Sequence, residues 1–161
     1  MPGRHDLKVE TPNDNEIHLI REFDAPPRLV FEALTRPDLV RRWLLGPDGW
    51  TMPVCDIDLR VGGAYRYRWK SETTGEEFGF VGEFKEIEPT SRIVHTEGMD
   101  GVEGSQSLVT SLFEAQGSGT RLTMIQRFVD KATRDMVVAT GMADGVGRSY
   151  ERLDDVLASV A

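Results

Sequence analysis

Cysteine is almost missing from this chain: Cys55 is the only one in 161 residues. A single thiol builds neither a disulfide framework nor a cysteine metal site. Long apolar runs are also missing, so no stretch reads as a bilayer-spanning helix. The opening segment, Met1 to Asn15, is polar and lacks the apolar core of a secretion signal. A cytoplasmic protein is the expectation. Basic residues are in deficit, 19 against 27 acidic, for a net charge of −8. That balance argues against nucleic acid or membrane insertion and suits an acidic, soluble surface. The length supports one domain with its own core. Residues 1–15 read as a polar leader and 16–161 as that domain.

What the chain does have is alternation. Cys55, Ile57, Leu59 and Val61 alternate with Asp56, Asp58 and Arg60, and after Gly62-Gly63 the residues Tyr65, Tyr67 and Trp69 alternate with Arg66, Arg68 and Lys70. This predicts a β-hairpin with one aromatic and one charged face. A three-residue loop, Gly62 to Ala64, would set Val61 opposite Tyr65, Leu59 opposite Tyr67 and Ile57 opposite Trp69, with a glycine at positive φ. It would also place Asp58 opposite Arg68 and Asp56 opposite Lys70, as surface ion pairs. Cys55 then lies on the apolar face as a buried, inert thiol.

The same reading extends along the chain. Glu16 to Phe23 is a strand carrying Ile17, Leu19 and Arg21 on one side. Asp24 to Pro27 opens a helix, with aspartate as the cap, and Val30, Phe31 and Leu34 are its apolar stripe. A second short helix carries Leu39, Val40 and Trp43 and stops at Gly46-Pro47. Five further strands follow the first part of the hairpin, at 64–70, 76–87, 92–97, 105–114 and 120–128, all joined by short turns. From Lys131 to Ala161, Met142, Val146, Tyr150, Leu153, Leu157 and Val160 form one helical stripe. Gly141, Gly145 and Gly147 within it call for a bend or a close approach. The expected fold class is α+β: seven antiparallel strands curved around a long C-terminal helix, with two short helices after strand one.

The residues expected to face the helix are Tyr65, Tyr67, Trp69, Phe78, Phe80, Met124, Phe128, Met142, Val146 and Tyr150. Each alone is explained by core packing. Together, amphipathic rings and unbranched methionines suit the wall of a pocket for a small hydrophobic molecule. His95 is the one mid-strand histidine. It is an acid or base candidate if Ile93 marks the inner side, and a surface residue if Val94 and Thr96 do. Asp56 and Asp58 share a face opposite the aromatic wall with no histidine beside them, so no metal is expected. The glycine pairs lack the strand-to-helix setting of a phosphate loop, and no cofactor is expected.

The chain resembles the START-like (SRPBCC, Bet v 1-like) superfamily, and within it the bacterial relatives of the activator of Hsp90 ATPase. The resemblance rests on Arg21 to Pro26, Val30 to Thr35, Trp43, Asp56 to Gly63, Glu86 to Pro89, Val109-Thr110, Gly119 to Thr123 and Gly141 to Gly145. It implies a helix-grip fold, a seven-stranded sheet enclosing a cavity for lipid-like or polycyclic molecules. Relatives often carry tryptophan where this chain has Val146, which implies a roomier cavity. Three functions stay open: a carrier, sequestering agent or sensor of a hydrophobic ligand; a cyclase- or dehydratase-type enzyme using His95 with a tyrosine or an inward acid; and a stress-response module binding a chaperone through the outer face at Arg66 and Arg68. The chain would act as a monomer or homodimer.

Overall fold

Strict alternation makes Glu16–Phe23 a strand (β2), with Ile17, Leu19, Arg21 and Phe23 all buried on one side. The computed structural model describes residues 5–44 and 48–160. Ahead of β2, Lys8–Glu10 (β1) pairs with its edge, Val9 facing Leu19. The sheet therefore has eight strands rather than seven, because three residues of the polar leader satisfy the open backbone edge of β2.

Pro27–Thr35 (α1) and Pro37–Trp43 (α2) each begin with proline, whose missing N–H costs nothing in a first turn. The α1 cap is Pro26, with no side-chain bond; Asp24, the expected cap, pairs with His5 instead. Trp43 is buried and donates its indole N–H to the Ala33 carbonyl at 2.8 Å, locking α2 to α1. The expected stop at Gly46-Pro47 lies outside the described residues.

Trp50–Ile57 (β3), Ala64–Ser71 (β4), Glu77–Glu88 (β5), Arg92–Met99 (β6), Ser107–Gln116 (β7) and Gly119–Arg127 (β8) complete an antiparallel sheet in the order β1-β2-β8-β7-β6-β5-β4-β3. The β3–β4 register differs from expectation. Ile57 faces Tyr65, Cys55 faces Tyr67 and Asp56 faces Arg66, leaving residues 58–64 between the paired strands. The loop is longer because Gly62 and Gly63 bond to β5: the Gly62 N–H donates to the Phe84 carbonyl and the Phe84 N–H to the Gly63 carbonyl, each at 2.9 Å. Gly62 takes the expected positive φ, +84°. Leu59 and Val61, expected on the buried face, are exposed in this loop. The expected charge pairs change too: Asp58 holds Arg60, while Arg66 and Arg68 both hold Asp100.

The C-terminal segment is two helices. Lys131–Ala139 (α3) is capped by Asp130, which accepts from the Thr133 N–H, and Met142–Val160 (α4) begins after a turn at Gly141. α4 crosses the inner face of the sheet, and Tyr150, Leu153, Val156 and Leu157 join Phe23, Trp43, Tyr65, Phe84 and Phe113 in the main core. Its closest backbone approaches are to α1, α2 and α3, whereas α1 and α2 lie directly against strands. Across the wider gap to the sheet, Asp154 on α4 accepts two hydrogen bonds from the Arg21 guanidinium of β2, both at 2.6 Å. Among the described residues, no helix is long and apolar enough to cross a membrane.

Arg21 is only 2% exposed, so removing its partner strands a buried charge. Asp154→Ala is expected to lower unfolding free energy by about 3 kcal/mol. Glu32→Ala, at an exposed pair with Arg28, is expected to cost under ~0.5 kcal/mol. Urea denaturation of the two variants checks this.

Candidate functional site

Alternation sends one side chain in two from each strand toward α4, and the register aligns them across the sheet. Tyr67 faces Phe80 and Trp69 faces Phe78, while Tyr65 faces Gly82. The glycine there is required by close approach: a Cβ on Gly82 would sit 2.4 Å from the Tyr65 ring and 1.8 Å from the Thr96 carbonyl oxygen. Without it, the Tyr65 ring lies across β5 and its hydroxyl donates to that carbonyl on β6 at 2.8 Å. Tyr65 is thus a buried brace between strands.

The other expected wall residues divide by place. Trp69 is buried and donates to the Leu44 carbonyl at 2.7 Å, tying the wall to the end of α2. Phe78 stacks on Trp69, with centroids 5.1 Å apart, and meets Trp50 edge-on at the rim, where it is 39% exposed. Phe80 is half-buried against the Trp69 edge. Phe128 packs with Ile17 and Leu19, and Met142 and Val146 close over this cluster at the start of α4. Tyr150 is buried against Phe23 and Trp43 and donates its hydroxyl to the Met124 sulfur at 3.0 Å. Cys55 is buried, and burial pushes its thiol up to about 11. It is inert at neutral pH.

His95 is on the inner face, its ring edge-on to Tyr65 with centroids 5.2 Å apart and 6.1 Å from Phe84. Burial lowers its pKa from 6.5 to about 4, so the imidazole is neutral. No hydrogen bond joins it to Tyr65 or Tyr67 among the described residues, and its Nδ1 is enclosed without a partner. Two residues on, Glu97 shares this face by strand periodicity. Its carboxyl accepts from the Gln126 amide at 3.0 Å, which in turn donates to Ser107 at 2.8 Å. Burial raises the Glu97 pKa, and the Gln126 hydrogen bond opposes only part of that rise. Glu97, Gln126 and Ser107 were not singled out from the sequence. The i, i+2 spacing of His95 and Glu97 was the available signal.

Tyr67, His95 and Glu97 share a further property. Each is deep within the protein, yet each keeps accessible surface. Tyr67 Oη, His95 Nε2 and the second Glu97 oxygen have no hydrogen-bond partner among the described residues, and none is an enclosed atom. Among the described residues, no group of three or more His, Cys, Asp or Glu is placed to hold a metal ion.

A family model described as "Activator of Hsp90 ATPase homolog 1-like protein" matches residues 24–158. Among solved structures, a protein from Rhodobacter sphaeroides is similar at 30% identity, covering 96% of this chain and 99% of that one, with TM-score 0.89. A protein from Chromobacterium violaceum is similar at 28% identity over 88% of this chain and 96% of that one, with TM-score 0.74. An "AHSA1-like protein" from Aeromonas hydrophila shares the fold at 18% identity, covering 86% of this chain and 92% of that one, with TM-score 0.68. No curated protein matches the chain.

The His95 environment has a measurable consequence. Its folded pKa lies below the unfolded value, so the unfolded chain binds the proton first as pH falls. Stability from this group is full above 6.5 and is lost between 6.5 and about 4. Glu97, with a raised pKa, acts in the opposite sense, losing stability as pH rises. Between pH 7 and 5, the wild type is expected to lose about 2 kcal/mol more than His95→Phe, at ~1.4 kcal/mol per pH unit. Denaturant melts of both proteins at the two pH values measure the difference.

Proposed function

Since the chain belongs to the activator of Hsp90 ATPase homolog 1-like family, its model matching residues 24–158, we propose that it binds a small hydrophobic molecule between the sheet and α4, for carriage, sequestration or sensing in the cytoplasm. One observation carries this reading: Tyr67, His95 and Glu97 are enclosed by protein yet keep accessible surface and unused hydrogen-bonding atoms. A core built only for stability fills such space and pairs such groups. The stand-off of α4 from the strands supports the same reading. Tyr65, Trp69 and Tyr150 contribute shape, because their polar atoms are already bonded within the protein. Tyr67 contributes both ring and free hydroxyl.

The enzyme reading draws on His95 beside Glu97. It lacks a hydrogen-bonded partner that would orient the imidazole, and binding is the stronger reading. The chaperone reading relied on Arg66 and Arg68 of the outer face, and both are engaged by Asp100.

The neutral dye N-phenyl-1-naphthylamine tests the proposal. Its fluorescence is expected to rise saturably on titration with the protein while that of Trp69 is quenched. Tyr67→Ala is expected to weaken binding roughly tenfold, as loss of about 1.4 kcal/mol gives, with an unchanged circular dichroism spectrum. A linear, unsaturable dye response overturns the reading.

A further inference from the structure

The polar atoms on the inner face differ from the rest of that face in having nothing to bond. Tyr67 Oη projects from β4, and His95 Nε2 and one Glu97 oxygen from β6. Among the described residues, the polar neighbours on this face are bonded to one another. Ser107 on β7 and Gln126 on β8 are occupied with each other and with Glu97. From β4, Tyr65 is bonded to Thr96, and from α4, Tyr150 is bonded to Met124. From β3, Cys55 is a neutral thiol. β5 offers the apolar Phe78, Phe80, Phe84 and Ile87. Among the described residues, two arginines are buried. Arg21 on β2 spends its guanidinium on Asp154, and Arg134 on α3 bonds Asp135 and the carbonyls of Asn13 and Glu16.

Among the described residues no arginine or lysine bonds to these atoms, so a ligand reaching Tyr67, His95 and Glu97 meets donors and acceptors without a cation bonded to them. A carboxylate there would lose its hydration with no positive partner, which is strongly unfavourable. An uncharged hydroxyl or carbonyl loses little hydration and satisfies groups that are otherwise unpaired. The neutral imidazole offers its nitrogen, and the Glu97 oxygen that Gln126 leaves free offers a second hydrogen-bonding position beside it.

Resting on the binding function above, we infer that this site selects uncharged ligands, an apolar body bearing a hydroxyl or carbonyl that bonds to His95 and Glu97, and rejects carboxylates such as fatty acids. The selectivity comes from residues of β6, and the body of the ligand lies along the Tyr67 side of the wall.

Calorimetric titration at pH 7.5 with naphthalene, 2-naphthalenemethanol and 2-naphthoate tests this, because the three share one ring system and differ in head group. The alcohol is expected to bind about tenfold tighter than naphthalene and at least about tenfold tighter than naphthoate. His95→Phe and Glu97→Met are each expected to remove the alcohol's advantage over naphthalene while naphthalene still binds. The two variants report independently, so a folding defect in one leaves the other decisive. Naphthoate binding as tightly as the alcohol overturns the inference, as does an alcohol advantage that survives substitution. Naphthalene binding without any alcohol advantage overturns the inference but leaves the binding function standing. Failure of all three probes to bind overturns both.

Discussion

A guanidinium buried on the inner face of the sheet, held by one carboxylate of the C-terminal helix, is the contact on which this arrangement depends. Arg21 cannot sit at 2% exposure without Asp154, and Asp154 can reach it only with α4 laid across the sheet. The pair is long, so it ties helix to strand while leaving the backbones apart. Packing of Leu153, Val156 and Leu157 with the residues of α1 and α2 sets the helix position from the side. Together with Met142 and Val146 over Ile17, Leu19 and Phe128 at its start, these contacts hold the helix over the sheet by side chains, with few close backbone approaches to the strands.

Under the helix the inner face divides into a structural and an unspent part. Tyr65, Trp69 and Tyr150 look like ligand-binding residues by type, but each polar tip is bonded internally. Rings braced in this way hold a fixed shape, which lowers the entropy that binding must overcome. Tyr67, His95 and Glu97 keep free polar atoms, and in the proposed function recognition falls to them. A neutral histidine and a buried acid whose pKa burial raises, two residues apart on β6, define a polar spot on an otherwise apolar face.

Much of this was legible in the residues. Period-two alternation located most of the strands and the face of nearly every inner residue, since a side chain's face depends only on parity. Parity also explains the error in the β3–β4 hairpin. Ile57 faces Tyr65 instead of Trp69, an even slip that leaves the face of every residue still paired unchanged, so the pattern itself could not distinguish the two registers. The bonds of Gly62 and Gly63 to Phe84 decide it, and no local signal announces a contact to a strand twenty residues away. The short edge strand Lys8–Glu10 was hidden for a similar reason: three exposed residues carry no pattern. The turn at Gly141 was hinted at by three glycines in the helical stripe. Glu97 was overlooked because an acid in a strand reads as surface until its neighbour His95 is known to point inward.

The central claim is that space remains between α4 and the sheet, lined by Met124, Val146 and the free polar atoms of β4 and β6. Methyl NMR spectra recorded under increasing xenon pressure test it most directly, because xenon enters apolar internal cavities and shifts the methyls it touches. The Met124 and Val146 methyls are expected to shift saturably, while that of exposed Met136 changes only in proportion to pressure. Met124 and Val146 methyls that follow the same linear course as Met136 would contradict the account.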